Sequence, residues 1–147
     1  MTAIVLYFFS IQGSGGAERR ICQLSGELSD RGYKVFICSL DIPSARSYYP
    51  LEKEVTWWRL GSKKKGLSDK LSRITKLYLK LRRNKIKIFI GFVMSSDRSI
   101  YIATKLARVR LVVAERNSPS MYWIRLSKLQ RKIVFLFMRL ADKITVQ

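Results

Sequence analysis

The first residues that could do chemistry lie in a glycine-rich loop near the amino terminus, from Gly13 to Arg19 (GSGGAER). Closely spaced glycines let the chain turn sharply and bring backbone N–H groups close to a ligand. A helical pattern of apolar residues follows the loop, and the amino terminus of a helix is a ready site for an anion. The candidate ligand-binding residues of this loop are Gly15, Gly16, Glu18 and Arg19. Glu18 also has a purely structural explanation, because an acid in the first helical turn favours the helix dipole.

A second polar cluster, Glu115, Arg116 and Asn117, directly follows the short apolar run LVVA. Its three side chains supply an acceptor, a forked donor and an amide. If the run is a parallel strand, the cluster lies at the same carboxyl edge of the sheet as the glycine loop. The alternative is a polar turn before a proline. Two polar clusters at one edge favour a binding site there.

The glycine loop also permits a dinucleotide-binding interpretation. GSGGAE is close to the GxGxxG pattern, although Glu18 stands where the third glycine belongs. Asp41, at the end of the second predicted strand, could serve as the acid that binds a ribose. An oxidoreductase domain of this kind therefore remains an alternative. A Walker-type phosphate loop is excluded, because no Gly-Lys-Ser/Thr sequence follows.

Positioning these clusters requires alternating strands and helices. Such an order predicts one α/β domain over residues 1–147, with a Rossmann-like, mostly parallel sheet and helices on both faces. The chain stops at its last strand without the helix that usually covers it, and we expect it to be truncated. The predicted strands are 3–9, 34–40, 54–60, 86–93, 110–114 and 142–147. The predicted helices are 17–31, 67–83, 96–108 and 121–140.

Composition excludes several classes of site. The chain has no histidine, and its two cysteines do not form a CxxC motif, so histidine-based triads and histidine metal sites are excluded. We expect no metal and no cofactor, and we expect both cysteines to be reduced core thiols. No apolar run approaches the roughly 18 residues of a membrane span, and no signal peptide is evident, which predicts a cytoplasmic protein. No residue is assigned a catalytic role.

The charge is strongly one-sided, with 29 Lys and Arg against 10 Asp and Glu, a formal net charge of +19. Such a surface favours anionic partners. The predicted helix 67–83 concentrates this charge, and we expect its basic residues to face an anionic membrane surface. They are Lys70, Arg73, Lys76, Lys80 and Arg83. The simpler interpretation is a solvated helix face, and the wider alternative is a non-catalytic module that binds membrane or nucleic acid. No nucleic-acid-binding motif is evident, so no nucleic-acid partner is expected.

Four segments in order, GGAER, RGYKVFICSLD, AERNSP and ADKITVQ, carry a resemblance to a known family. Together they resemble the N-terminal half of glycosyltransferase family 4 enzymes, in the bacterial branch with a GGAER loop and a SERNxP segment. Ala114 departs from that pattern, since the branch often has serine there. Members of this branch build polysaccharide, O-antigen or lipid-linked glycans.

The resemblance implies the N-terminal, acceptor-side half of a GT-B fold. It implies that the backbone of Gly15 and Gly16 faces the phosphates of a nucleotide-sugar donor or the neighbouring acceptor, and that Glu18, Arg116 and Asn117 line the cleft. It also implies a retaining transfer to a glycan or polyprenyl-linked acceptor. The basic helices would suit an enzyme that lies on the anionic inner face of the membrane to reach such an acceptor. The donor is held by a C-terminal domain that these residues do not include, so we expect the chain to be inactive alone.

Overall fold

A computed structural model describes residues 1–62, 66–92, 97–115 and 126–146, and only the backbone of Glu115 and Val146. Six strands and four helices lie along these residues, and a helix separates each pair of successive strands except the second and third. The strands are β1 (Ala3–Tyr7), β2 (Lys34–Ser39), β3 (Thr56–Arg59), β4 (Ile88–Phe92), β5 (Arg110–Glu115) and β6 (Lys143–Val146). The helices are α1 (Gly16–Asp30), α2 (Leu67–Arg83), α3 (Arg98–Leu106) and α4 (Lys128–Met138).

Every element predicted from the sequence is present, and the bounds of α2 match the prediction at both ends. The last predicted helix begins later than expected among the described residues, because Ser127 caps α4. The Ser127 hydroxyl accepts from the Gln130 N–H at 3.2 Å, and the Gln130 side chain accepts from the Ser127 N–H at 2.9 Å. Such a reciprocal capping box fixes where a helix starts. Residues 121–125 of that predicted helix lie outside the described residues.

All five strand pairings are parallel, and the strand order is β3-β2-β1-β4-β5-β6. The predicted Rossmann-like parallel sheet is therefore confirmed. The order reverses between β1 and β4, where Tyr7 pairs with Gly91. In open parallel sheets, ligands bind at the carboxyl ends of the strands beside this reversal.

The sheet buries a different apolar cluster on each face. The side chains of Val5, Tyr7 and Phe89 point to the face that α2, α3 and α4 cover, and those of Ile4 and Leu6 point to the face that α1 covers. Helices therefore lie on both faces, as predicted. Trp58 is buried, whereas its neighbour Trp57 is half-buried, which fits the alternation of a strand. Both cysteines are free and buried, as expected from the sequence.

Three helices enter the next strand through the same backbone turn. After α1, the N–H of Gly32 donates to Ser29 O and that of Tyr33 donates to Leu28 O. This pair of bonds is a Schellman motif, in which the residue after the helix cap has a positive φ. That residue after α1 is Gly32, with φ +81°. The equivalent positions after α2 and α3 are Lys85 (φ 50°) and Arg108 (φ 56°).

The carboxyl ends of β2 and β3 come very close at Gly61. Its N–H donates to Asp41 O at 3.0 Å, and a Cβ at this position would overlap the Leu40 carbonyl oxygen. The sequence predicts only a flexible, basic connection from Gly61 to Gly66. That prediction is wrong for Gly61, which is a site of close backbone contact, and residues 63–65 lie outside the described residues.

Candidate functional site

The buried Asp41 carboxylate holds residues 10–12, which lead from the end of β1 into the glycine loop. One carboxylate oxygen accepts from Ser10 Oγ and Gln12 Nε2, each at 2.6 Å. The other accepts from the Ile11 N–H at 3.0 Å and from Ser39 Oγ at 2.8 Å. Burial alone would raise the pKa of Asp41, but these four hydrogen bonds outweigh it and hold the pKa below its ordinary value. Asp41 is therefore an ionised anchor of the loop.

This arrangement bears on the dinucleotide interpretation of Asp41. A carboxylate that binds a ribose needs free lone pairs facing the ligand, whereas both Asp41 oxygens already accept two hydrogen bonds each from the protein. The acid on which that alternative relied is thus committed to the protein interior. The geometry does not favour a dinucleotide-binding oxidoreductase.

Two tyrosines in the segment that follows β2 also hydrogen-bond to the backbone of the loop and of the residues that lead into it. The Tyr49 hydroxyl donates to the Ser14 carbonyl oxygen at 2.7 Å, and the Tyr48 N–H donates to the Ile11 carbonyl oxygen at 3.2 Å. Together with Asp41, these bonds hold the loop at both ends before α1 begins. The loop therefore presents a fixed backbone to whatever approaches it.

The glycines of the loop differ in what surrounds them. A Cβ at Gly13 would come within 2.6 Å of the Glu18 carboxylate, and one at Gly15 within 2.5 Å. Gly16, the first residue of α1, is exposed, and within the described part of the chain a Cβ there would meet nothing within 4 Å. Gly13 and Gly15 thus make room for Glu18, whereas no described residue fills the space beside Gly16. Packing explains the first two glycines but not the third.

Among residues 1–62, 66–92, 97–115 and 126–146, the N–H groups in the first turn of α1 have no hydrogen-bond acceptor at this open position. Arg19 N–H makes the first bond of the helix, to Gly15 O at 3.1 Å, which leaves the N–H groups of residues 16–18 without intrahelical acceptors. Gly15 has no side chain to cap them. The Glu18 carboxylate lies beside the loop, and the Arg19 side chain is exposed. The candidate residues of the loop are therefore together, around a helix terminus suited to an anion.

The second predicted cluster is described only in part. Glu115 is the last residue of β5, and its Cα pairs with Val146 of β6, so it lies at the carboxyl edge of the sheet, as the glycine loop does. Its side chain is not described, and Arg116 and Asn117 lie outside the described residues. Their proximity to Glu18 stays a prediction.

A polar network that the sequence does not reveal lies at the reversal of the strand order. Asp97 caps α3 by accepting from the Ser99 N–H at 3.0 Å. Its other oxygen accepts from the Tyr7 hydroxyl at 3.1 Å and lies 3.6 Å from the Arg73 guanidinium, which also pairs with Asp69 at 2.7 Å. The serine, serine, aspartate run before α3 predicts a helix cap. Nothing local predicts its link to Tyr7.

Arg73 is consequently set apart from the other predicted membrane-facing cations of α2. Only 18% of its side chain is exposed, and its charge is met by two carboxylates. Lys80 is half-buried with its ammonium 5.3 Å from the centre of the Trp58 ring. The three that are exposed are Lys70, Lys76 and Arg83.

Apolar side chains are also exposed near these cations. Leu67 and Leu71, at the start of α2, are 74% and 57% exposed, whereas Leu77 and Leu81 further along are buried against the sheet. No helix in the described ranges is long and apolar enough to cross a membrane. Nor do the described residues contain a group of three His, Cys, Asp or Glu side chains that could hold a metal ion.

Comparison with known proteins places this geometry in context. The family model described as Glycosyltransferase Family 4 matches residues 14–147, which includes the glycine loop from Ser14 onward. No curated protein sequence matches the chain.

Several solved structures share the fold. Sucrose-phosphate synthase from Thermosynechococcus elongatus superposes with a TM-score of 0.69 at 10% identity, over 98% of this chain and 42% of that one. MurG from Acinetobacter baumannii superposes with a TM-score of 0.64 at 12% identity, over 99% of this chain and 41% of MurG. A glycosyltransferase from Rickettsia africae superposes with a TM-score of 0.63 at 18% identity, over 99% of this chain and 42% of that protein. The chain therefore spans about two fifths of the length of these proteins, and at such identities the likeness concerns the fold alone.

Proposed function

Since this chain belongs to glycosyltransferase family 4, we propose that it is the N-terminal, acceptor-side domain of a GT-B enzyme. The enzyme would transfer a sugar from a nucleotide-sugar donor to a glycan or polyprenyl-linked acceptor in the synthesis of cell-envelope polysaccharide. The transfer would retain the configuration of the sugar, as the family resemblance implies.

The open space at Gly16 is the observation that carries this proposal. Asp41 holds the residues that lead into the loop and Tyr49 holds Ser14, yet none of the described residues lies within 4 Å of the Cβ position of Gly16. This open position lies beside the N–H groups of α1 that have no intrahelical acceptor. A phosphate can approach that backbone closely only if no side chain stands there. When the sugar leaves, negative charge grows on the nucleoside diphosphate, and fixed N–H groups stabilise such charge at no cost of reorganisation.

Glu18 and Arg19 would flank this phosphate position. The Glu18 carboxylate, packed beside Gly13 and Gly15, is placed to accept a hydrogen bond from a sugar or acceptor hydroxyl, and the exposed Arg19 side chain offers a cation at the rim. We assign Glu115, Arg116 and Asn117 to the same cleft from the resemblance.

The donor would be held mainly by a second, C-terminal half. Since the chain spans about two fifths of the glycosyltransferase structures that it matches, residues 1–147 would supply one wall of the site. Transfer would then require a donor-binding half, either on the same polypeptide or on a second one.

An anionic membrane surface would bring the enzyme to a lipid-carried acceptor. The start of α2 suits this contact, because Leu67 and Leu71 are exposed beside Lys70. Amphipathic helices with this mixture lie in the membrane interface. Arg73 would contribute less than predicted, since Asp69 and Asp97 already compensate its charge. The enzyme would act in the cytoplasm, at the inner membrane face.

Substitution of Gly16 by alanine tests the proposal directly. In a protein that carries this domain and its donor-binding half, Gly16→Ala should lower the release of nucleoside diphosphate at least tenfold, because the new methyl group occupies the phosphate approach. The unfolding midpoint should not fall, because the methyl group meets no residue that the structure describes. Lys53→Gln, on an exposed turn remote in sequence from both clusters, is the control. Wild-type transfer by Gly16→Ala would refute the assignment.

A further inference from the structure

A second concentration of positive charge lies at the amino edge of the sheet, opposite the glycine loop. The turns that lead from α2 into β4 and from α3 into β5 enclose a cleft of about 410 Å³. Buried apolar residues form its floor, and exposed cations line its walls. The floor residues are Leu81, Ile86 and Ala107, and the cations are Arg82, Lys85, Lys87 and Arg108.

Two of these cations occupy backbone positions that disfavour any side chain. Lys85 and Arg108 have φ values of 50° and 56°, in the left-handed region where a Cβ is strained. The equivalent turn after α1 has the residue that normally solves this problem, Gly32, at φ +81°. The two turns at the cleft thus keep a strained cation where glycine would relieve the strain.

The helix dipole explains only in part why cations, and not glycines, occupy these two left-handed positions. A cation near a helix carboxyl terminus is favourable, but α2 already has Lys80, Arg82 and Arg83 in its last turn. A further cation at the strained position adds little to the helix. Its effect is to direct a charge into the cleft, and strain kept in this way is typical of binding sites.

The charges around the cleft are also unpaired. Within residues 1–62, 66–92, 97–115 and 126–146, none of the four cations forms a salt bridge. Asp142 lines the neighbouring cavity with Arg108 and Arg110, but its carboxylate accepts from the Leu111 N–H at 2.8 Å and lies 3.7 Å from Lys105 Nζ. Arg110 adds to the excess, because its N–H donates to Lys87 O and so places it beside that lysine.

We propose that this cleft is a second anion site, which binds phosphate groups. A concave site with two guanidinium and two ammonium groups matches the charge and the oxygen geometry of a phosphomonoester or phosphodiester. The site lies at the opposite edge of the sheet from Gly16, so its ligand does not compete with one at the glycine loop. The phosphate can belong to a soluble molecule or to a lipid headgroup, and the two sources are separable by experiment.

Glycine substitution at the strained positions removes charge without disturbing the fold. Pyrophosphate is titrated into the full chain at physiological ionic strength and followed by amide NMR, which distinguishes shifts at Ile86 and Val109 from shifts at Gly16. K85G/R108G should weaken binding at the cleft about twenty-five-fold, since each cation near an anionic surface contributes about fivefold. Its unfolding midpoint should equal or exceed that of the wild type. The charge-matched control K53Q/K128Q should leave the cleft affinity unchanged.

A second variant and a second probe complete the test. R82Q/K87Q keeps both left-handed residues and should weaken binding to a similar extent. Flotation with vesicles of phosphatidylglycerol and phosphatidylcholine then identifies the source of the phosphate. Loss of vesicle binding in K85G/R108G assigns the cleft to lipid headgroups, and unchanged vesicle binding with lost pyrophosphate binding assigns it to a soluble ligand. Equal losses in K85G/R108G and K53Q/K128Q, or no shifts at Ile86 and Val109, would overturn the proposal.

Discussion

The Tyr7 hydroxyl donates a hydrogen bond to the Asp97 carboxylate at 3.1 Å, across the point where the strand order reverses. Tyr7 is the last residue of β1, and Asp97 caps α3, 90 positions later. The bond ties the strand that leads into the glycine loop to the helix that follows β4. It also leaves Asp97 shared between the cap of α3 and the Arg73 guanidinium.

Removal of the Tyr7 hydroxyl should destabilise the domain. Tyr7→Phe keeps the buried ring but deletes a hydrogen bond to a charged acceptor, which typically contributes about 1.5–3 kcal/mol. We expect the free energy of unfolding in urea to fall by about 2 kcal/mol. Tyr33→Phe, at a tyrosine that is 38% exposed, should change it little. Equal effects of the two substitutions would show that the Tyr7–Asp97 bond contributes nothing.

High pH should destabilise the wild type more than Tyr7→Phe. Burial, and next the nearby Asp97 charge, raise the pKa of Tyr7 far above its ordinary value of 10.0. The neutral hydroxyl is therefore favoured in the folded state, and its contribution to stability is complete below pH 10 and declines above it. Unfolding free energies between about pH 8 and 11 should fall more steeply for the wild type, by up to about 1.4 kcal/mol per pH unit above 10. Parallel curves would contradict the expected shift.

Low pH should act through Asp41. Although burial opposes it, hydrogen bonds from Ser10, Ile11, Gln12 and Ser39 keep the pKa of Asp41 below its ordinary value of 3.8. Because the folded state favours the carboxylate, its contribution is complete above pH 3.8 and is lost as the pH falls through the folded pKa.

Asp41→Asn puts this to the test near neutral pH and in acid. The NH₂ group of asparagine would face N–H and O–H groups that now donate to the Asp41 carboxylate. Because these hydrogen bonds would be lost, the free energy of unfolding should fall by about 3 kcal/mol near pH 7. The gap between wild type and variant should then narrow below pH 3.8. A gap that stays constant into acid would mean that Asp41 acts through its shape and not through its charge.

Local sequence patterns predicted the strands and helices. The roles of individual polar residues were not predictable, because they depend on contacts between residues far apart in the sequence. The apolar run of β1 and the helical periodicity of α2 lie within single segments, so sequence alone located both. The bond from Ser10 to Asp41 joins residues 31 positions apart, and no local pattern shows that Asp41 serves the loop and not a ligand. Arg73 illustrates the same limit of local patterns. Helical spacing grouped it with exposed cations, whereas its side chain is largely buried and lies 3.6 Å from the Asp97 carboxylate.

The candidate site was also predictable only where it depends on local sequence patterns. Glycine spacing located the loop, and the sheet topology placed the end of β5 at the same edge, as parallel strands must. Which glycine was free for a ligand was not predictable, because the answer depends on where the Glu18 side chain lies. Gly61 was missed for a similar reason, since its neighbours Leu40 and Asp41 come from another strand end.

Gly61 and Gly16 should therefore respond oppositely to alanine. At Gly61 the new methyl group would overlap the Leu40 carbonyl oxygen, which belongs to backbone that cannot move aside, and we expect a loss of about 3 kcal/mol or more. At Gly16 the methyl group meets no described residue within 4 Å, and alanine is favoured over glycine in a helix by up to about 1 kcal/mol. Unfolding in urea measures both. A stable Gly61→Ala protein would mean that the ends of β2 and β3 can separate, whereas a destabilised Gly16→Ala protein would give that glycine a structural role and remove the argument for a ligand there.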